Sequence, residues 1–430
     1  MRLTRPRSGT GADGHAATGV AIDADAGLPA TLRMGTVDVA YRLAAGGRPL
    51  PVPFVFAFDG PAPALDAVHA RVAERVHAIP ALRYRPARDS PVFRRIDHVA
   101  VERHVHEVHL PGPIDGTGLG RLLLSRPLET GDGPLWEVLL VHGAAGGHAL
   151  CYRTDHTAQD GVGAAHAARA LLDDDPGNGP PAQGGARPAL AGLAGVLGDV
   201  ATGFGPARAK PGFDGPVGGL AAVRHAHTTL ARLRALGRAH GGSVNDVYLA
   251  ALSHAVRTWH LKATGTVHPP LPVVVPMSVR APGEEGYPGN RMVTARVLLP
   301  CDEESPRRAL GRVAASTGRL RDGRRRDAFR LLLAATPRAL GARIGLRLVN
   351  GRVVACPASS VNFGGPLVHR GVASRWSAVY SGLASGIRCM VTMTCQGDAA
   401  CLSVVHDENL TSADALPDLW LAALEELERG

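Results

Sequence analysis

Two α/β sandwich-like domains joined by a Gly/Pro-rich linker are the architecture this sequence predicts. Three observations carry that expectation. Both halves of the 430-residue chain mix apolar runs of strand length with amphipathic helical patterns. Composition shifts over 173–219, where Asp173-Asp174-Asp175-Pro176 gives way to many Gly and Pro residues. Finally, 151–161 reads as a buried strand end that breaks into a polar loop before a helix, which suits the wall of an interdomain cleft.

The elements follow in order. Residues 1–30 are Gly, Ala, Thr and Asp with scattered Arg, and are expected to be a disordered tail. Order begins near Met34, and 53–58 is a short apolar strand. Leu65, Val68, Val72, Val76 and Ile79 recur at helical spacing until Pro80 ends the run. Segment 99–110 reads as a strand and its loop; no acid or Cys stands at a convincing companion spacing to His98, His104, His106 and His109, so no metal site is expected. A helix over 119–128 leads to Pro134-Leu135-Trp136-Glu137 and a strand over 138–142, with Trp136 as a core anchor. An Ala-rich helix covers 162–172. Within the linker, 190–204 is weakly amphipathic, and Leu190, Leu193, Val196 and Leu197 would lie on a membrane or on the protein itself.

The second half restarts with a helix over 228–240, a Gly-Gly turn, Ser243 as N-cap and a helix over 245–261. Strands are expected over 272–279, ending in Arg280, and over 291–299. A basic helix-like stretch, 319–330, carries Arg324-Arg325-Arg326, which reads as a solvated face or a phosphate or membrane contact. Segment 359–366 is a strand and Gly-rich turn, 387–395 and 401–406 form a hairpin around Gln396-Gly397-Asp398, and 412–428 is an amphipathic helix. The division is thus a 1–30 tail, a 31–175 domain, a 176–219 linker and a 220–430 domain.

Composition narrows the functional classes. Hydrophobic residues at 45% and charged residues at 20% describe a globular chain with ample core. The net charge of +9 favours an anionic partner: a membrane surface, a phosphate-bearing cofactor or an acidic carrier protein. Nucleic acid is not expected, because no zinc-finger spacing, basic heptad helix or aromatic RNA-binding motif appears. Six cysteines without a Cys-x-x-Cys pair read as reduced, buried thiols. With no apolar leader and no run of about 18 apolar residues, the expected location is the cytoplasm, with a membrane surface as a peripheral contact.

Chemistry centres on Asp155-His156-Thr157-Ala158-Gln159-Asp160-Gly161. A neutral imidazole at a strand end can accept a proton near neutrality, and a hydroxyl, amine or thiol is a poor nucleophile until its proton is removed. Asp160, four residues on, either orients the ring or pairs with an Arg to hold the loop; spacing alone leaves both open. Gly161 would let the chain turn sharply into the helix.

Several stretches, in order, resemble the bacterial wax ester synthase/diacylglycerol acyltransferase family, within the wider chloramphenicol-acetyltransferase-like and condensation-domain group. They are 34–41, Pro134-Leu135-Trp136-Glu137, the 155–161 loop, Asn245-Asp246, Val275-Pro276-Met277-Ser278-Val279-Arg280, Gly289-Asn290-Arg291 and Asn362-Phe363-Gly364-Gly365-Pro366. The resemblance implies an α/β fold of two chloramphenicol-acetyltransferase-like sandwich domains with an active-site tunnel between them. It implies that His156 is the general base and that Asp160, with Gly161, supports the loop through an Arg, with Arg280 as first candidate and Arg291 as second. It implies structural roles for Pro134, Leu135, Trp136, Asn245 and Asp246, with Trp136 and Asp246 holding the domains together, and places Asn362, Gly364 and Gly365 at the acyl channel. No metal or permanently bound cofactor is implied; the acyl donor is a thioester of coenzyme A or of a carrier protein's phosphopantetheine, and the acceptor is a small molecule. Two departures stand out: the first His of the family's His-His-x-x-x-Asp-Gly is Asp155 here, and the turn at 362–366 differs from the usual Asn-Val-Pro-Gly-Pro. A carboxylate at 155 could raise the His156 pKa if it approaches the ring. Acyl transfer in wax ester or triacylglycerol synthesis is the family default. Secondary-metabolite tailoring or condensation is an alternative, and a non-catalytic binding or scaffold protein is an alternative of another class.

Overall fold

In the computed structural model of the chain, the residues described are 27–114, 117–144, 146–179, 190, 192–204, 208–322, 324–383 and 386–429. Most of the expected tail (1–26) and parts of the expected linker (180–189, 191 and 205–207) lie outside them.

The first half contains β1 (Thr31–Arg33), α1 (Thr36–Ala45), β2 (Pro51–Phe58), α2 (Leu65–Arg75), β3 (Tyr84–Pro86), β4 (Val92–Arg95), β5 (Val105–Leu110), α3 (Thr117–Ser125), β6 (Trp136–Gly143), β7 (His148–Asp155) and α4 (Gly161–Leu172). Strands β2 and β7 are buried along their whole lengths, as central strands covered on both faces must be. One face carries Phe54, Phe56, Val138, Leu140 and Tyr152 against Val68 and Val72 of α2 and Ala164, Ala167, Ala168 and Leu171 of α4. The alanines let α4 lie close to the sheet. Each fully buried Phe or Leu in this layer contributes about 1.5–3 kcal/mol.

The second half contains α5 (Leu193–Phe204), β8 (Ala221–Thr229), α6 (Leu230–Ala239), α7 (Val244–Thr264), β9 (Leu271–Ser278), β10 (Met292–Leu299), α8 (Pro306–Asp322), α9 (Arg325–Ala335), α10 (Arg338–Leu348), β11 (Cys356–Asn362), the small hairpin β12 (Val368–His369) and β13 (Val372–Ala373), β14 (Trp376–Val379), β15 (Cys389–Gln396), β16 (Ala399–Asp407) and α11 (Leu416–Arg429). Its mixed sheet runs β10-β9-β11-β15-β16-β8, and its core packs Val247, Leu249 and Leu252 of α7 with Trp420 and Leu424 of α11 against Val391, Met393 and Val404. The Ser243 hydroxyl accepts from Asp246 N–H while the Asp246 carboxylate accepts from Ser243 N–H, a reciprocal cap that starts α7 where expected.

The two α/β layers have the predicted class, but the second half does not keep to itself. The first sheet runs β14-β2-β7-β6-β5, so Trp376–Val379 leaves its own half and pairs antiparallel with Ala57–Phe54 of β2. A third cluster, with Val55, Leu139, Val141 and Cys151 facing Val223, Cys401 and Val405, packs the remaining face of the first sheet on the second. This crossing strand fixes the two halves against each other.

Two local expectations need correction. The helix expected over 228–240 is strand β8 to Thr229, then α6 from Leu230, capped by the Thr229 hydroxyl accepting from Arg232 N–H at 3.0 Å. Polar Arg224, His225 and His227 had erased the apolar alternation of that strand. The basic stretch 319–330 is not one helix: α8 ends at Asp322 and α9 starts at Arg325, with Arg324 left-handed at φ 48° between them. In α5, Val196 is fully buried while Leu197 and Phe204 are exposed, so the helix lies on its own protein with part of its apolar surface open. No helix among the described residues is long and apolar enough to cross a membrane.

Candidate functional site

Strand β7 delivers the site. The Leu135 carbonyl accepts from Asp155 N–H at 3.1 Å and from the Thr154 hydroxyl at 2.9 Å, so Pro134-Leu135-Trp136 pins the strand end from which the loop departs. Trp136 anchors this from below: its indole N–H donates to the Leu82 carbonyl at 3.0 Å and its ring stacks on His104 at 4.3 Å. All these partners belong to the first half. Asp246 bonds Ser243 and accepts from the Thr317 hydroxyl at 2.6 Å, all in the second half. Neither residue therefore bridges the domains in the way the resemblance implied; each fastens its own side.

His156 follows directly, its N–H donating to the Leu50 carbonyl at 2.8 Å. Its ring is stacked under Tyr41 of α1, with centroids 3.9 Å apart and an interplanar angle of 16°. Nδ1 lies 3.0 Å from Oδ1 of Asn290. The Asn290 amide nitrogen donates to the His156 carbonyl at 2.8 Å and to Oδ1 of Asp38 at 3.0 Å, and Asn290 N–H donates to the same carboxylate at 2.5 Å. Asp38 is 4% exposed, and its other oxygen accepts from Gly35 N–H at 2.8 Å. Burial pushes the Asp38 carboxyl above its ordinary value, against the hydrogen bonds from Asn290 and Gly35.

Asp155 points away from the imidazole. Its carboxylate accepts from Leu50 N–H at 2.8 Å and from both the N–H and the hydroxyl of Thr157. The pKa of His156 is lowered, chiefly by burial, against a backbone hydrogen bond within His156 itself, the charge of Asp160, the Asn290 contact and, smallest, the charge of Asp155. A net rise caused by Asp155 is thus not what the structure gives: that charge acts in the expected sense but burial outweighs it.

Asp160 caps α4, accepting from Gly163 N–H at 2.8 Å. It also receives Arg280 Nε at 3.1 Å and 3.2 Å and the Arg291 backbone N–H at 2.7 Å. The Arg280 guanidinium is filled on its other edges by the carbonyls of Glu284, Tyr287 and Gly289. Arg291, the second candidate, contacts Asp160 through its backbone only; its side chain pairs with Glu284 at 2.5 Å. Gly161 has an ordinary backbone, and a Cβ there would meet only Val361 at 3.9 Å, so no sharp turn requires it. The sterically demanding glycine is Gly163, where a Cβ would fall 2.6 Å from Arg280 Nη2.

His156, Tyr41, Asp160 and Gly161 line a cavity of about 1290 Å³ between the halves. Its walls are largely apolar, with Val275, Met277, Val361, Val379 and Met390, and Asn245 also reaches it. Arg321, Arg324 and Arg326 supply a cationic stretch of the wall. Asn362 lines the cavity, whereas Gly364 and Gly365 do not: Gly364 N–H donates to Asn362 Oδ1 at 2.9 Å in a turn, and the Gly365 carbonyl receives Arg169 at 2.8 Å. Sequence reasoning gave no role to Asp38, Tyr41 or Asn290, although each lay within a quoted motif. Elsewhere, the structure gives the histidines of 99–110 a companion they lacked along the chain. Glu107 bonds His142 of β6 at 2.6 Å, and His109 stacks on the same ring at 4.5 Å. This trio offers donors that a divalent transition ion accepts, but it is largely exposed on the edge of the sheet, outside the cavity.

Residues 52–194 match the family model described as wax ester synthase/diacylglycerol acyltransferase catalytic domain. A putative diacylglycerol O-acyltransferase of Mycobacterium tuberculosis is 27% identical over 270 residues, 51% of this chain and 54% of that protein. A probable diacylglycerol O-acyltransferase of the same organism is 26% identical over 320 residues, 65% of this chain and 68% of that one. The chain thus spans about half the length of the first of these relatives. Among solved structures, the wax ester synthase/diacylglycerol acyltransferase from Marinobacter aquaeolei VT8 superposes with a TM-score of 0.64 at 20% identity, covering 92% of this chain and 99% of that one. The starter condensation domain of rhizomide synthetase, in complex with C8-CoA and Leu-SNAC, gives 0.60 at 15% identity, covering 93% and 94%. The site loop lies inside the matched catalytic segment and the fold is shared over nearly the whole length, so in sequence and fold the chain is similar to the wax ester synthase/diacylglycerol acyltransferase family.

Proposed function

We propose that this protein is an acyltransferase that moves an acyl group from a thioester to the hydroxyl of a small-molecule acceptor, with His156 as general base. One observation carries the reading: a half-buried imidazole whose Nδ1 is engaged by Asn290 stands in the wall of a large, mainly apolar cavity between two domains. Burial keeps that imidazole neutral near pH 7. The acceptor hydroxyl gives its proton to Nε2 as its oxygen attacks the thioester carbonyl. The tetrahedral intermediate collapses, the C–S bond breaks, and the thiolate leaves with the proton returned from His156. The histidine thus ends as it began, and no acyl-enzyme is needed.

The apolar walls suit an acyl chain, and the cationic stretch formed by Arg321, Arg324 and Arg326 suits the phosphates of coenzyme A or of phosphopantetheine on a carrier protein. Support for a diacylglycerol acceptor comes from the named activity of the Mycobacterium relatives, and wax ester synthesis is the other activity in the description of the matching family model. Condensation-type tailoring of another metabolite is the second reading, and the structural likeness to condensation domains favours it. The open apolar side chains of α5, Leu197 and Phe204, suit a peripheral contact with a lipid surface.

Thiol release from a panel of acyl-CoA thioesters, with alcohols and amines as acceptors, tests the proposal. The expected result is acceptor-dependent release that falls by about 10²–10⁴-fold in His156→Ala. Equal release by the variant would overturn the assignment of the base. Binding of thioester without release across coenzyme A and carrier-bound donors would favour a non-catalytic protein.

A further inference from the structure

We propose that Asn290, locked by the buried carboxylate of Asp38, is the positioning residue that fixes His156 in its Nδ1–H tautomer and so leaves Nε2 as the proton acceptor. The inference rests on the reading of His156 as general base.

An amide side chain can present either its oxygen or its nitrogen to a neighbour, and the hydrogen-bond network decides which. The Asn290 nitrogen has two acceptors facing it, Oδ1 of Asp38 at 3.0 Å and the His156 carbonyl at 2.8 Å. A flip would set the amide oxygen against both of those oxygens. Asp38 can only accept while ionised, and it is held in place by Gly35 and by the Asn290 backbone N–H. The amide oxygen must therefore face Nδ1, and an acceptor at 3.0 Å demands that Nδ1 carry the hydrogen. Nε2 then keeps its lone pair, and no other residue among those described donates a hydrogen bond to it.

The relay differs in kind from a carboxylate placed directly on the imidazole. An amide orients the ring but adds no full charge, so the proton affinity of Nε2 stays low enough for the ring to be neutral between turnovers. The charged and titratable groups facing His156 are Tyr41 and Asp38 from α1, Asp155 from β7 and Asp160 at the entry to α4, the last already paired with Arg280. None of them hydrogen-bonds to Nδ1, whose partner is Asn290 Oδ1. The Tyr41 ring, stacked at 3.9 Å, blocks one face and limits the ring to rotation in its plane, which the Asn290 contact stops.

Long-range ¹⁵N–¹H NMR of the full chain labelled in histidine reads the tautomer without any turnover. Wild type is expected to show His156, assigned by its loss in His156→Gln, as Nδ1–H. A wild-type signal of the Nε2–H form overturns the proposal outright. In Asn290→Ala the Nδ1–H form should lose its dominance, and kcat should fall at least about tenfold, and by at most the roughly 10⁴-fold that a wrong tautomer costs, with KM little changed. An unaltered tautomer and kcat in that variant would mean that the ring's own backbone carbonyl suffices, and would sink the proposal. Asn290→Asp guards against a loss that is merely structural. It keeps an acceptor on Nδ1–H, while its second oxygen, set against Asp38 Oδ1 and the His156 carbonyl, carries a proton shared with Asp38, so the Nδ1–H tautomer should persist and kcat should exceed that of Asn290→Ala. Failure of the base assignment would look different: an Asn290-dependent Nδ1–H signal together with unimpaired turnover in His156→Ala.

Discussion

Asp155 and Asp160 flank the same histidine and are both buried, at 4% and 2% exposure, yet their wiring is opposite. Asp155 spends its oxygens inside the first half, on Leu50 N–H and on Thr157 two residues ahead. Asp160 reaches across the cavity wall to Arg280 and to the Arg291 backbone, both from the second half, 120 and 131 residues away. Neither touches the imidazole by a hydrogen bond. One carboxylate sets the shape of the loop; the other ties the loop to the domain that forms the opposite wall. The residue at 155 can thus depart from the family pattern without displacing His156: the position needs acceptors for three donors of the first half, and a carboxylate provides them.

The largest effect should come from cutting the tie between the halves. Asp160→Ala removes the α4 cap and leaves Arg280 buried without its anion, and breaking a buried pair in this way costs about 3–5 kcal/mol. Chemical denaturation should register that loss, and thiol release should fall with it; a variant as stable as wild type would show that the Glu284, Tyr287 and Gly289 carbonyls alone satisfy the guanidinium. Gly163→Ala attacks the same junction by volume. Its Cβ would sit 2.6 Å from a guanidinium held on every side, so a loss of about 1–3 kcal/mol is expected. Asp155→Asn should be milder. The substitution keeps one acceptor and loses part of the Leu50 and Thr157 bonding, for about 1–3 kcal/mol at most. If Asp155→Asn proved more damaging than Asp160→Ala, the division between local brace and interdomain tie would be wrong.

The same contrast shows what could be read from the chain. The Asp160–Arg280 tie was legible because both residues sit in motifs whose order resembles a family, and the capped start of α7 was legible because Ser243 and Asp246 stand at capping-box spacing. The support of His156 was not. Tyr41 and Asp38 share α1, but Asn290 lies 252 residues beyond Asp38 and His156 stands on the loop after β7, so only the fold brings them to one ring. Strand β14 was missed for a related reason: four residues are too few to show a period, and its partner β2 lies more than three hundred residues upstream. Gly163 was passed over for Gly161 because its need is a clash with a guanidinium from the other half, which no local conformational argument contains.

The smallest effect separates the two carboxylates by charge instead of by structure. Both raise the pKa of His156, Asp160 more than Asp155, while burial drives it the other way and prevails. If His156 is the base, as proposed, it works unprotonated, and activity should fall on the acid side as pH drops through this lowered value. Removing a nearby negative charge makes the imidazolium less favourable still, so the acid limb of kcat/KM should move to lower pH in Asp160→Asn and, by less, in Asp155→Asn. The stability linkage has the matching sign. The unfolded histidine, with a pKa of about 6.5, binds its proton first as pH falls. The native state therefore loses stability between that value and the lowered folded one, and His156→Gln should lose less over the same interval. Rate profiles for the two Asn variants decide the ordering: an equal shift in both would mean that Asp160, neutralised by Arg280, acts on the ring no more strongly than its neighbour.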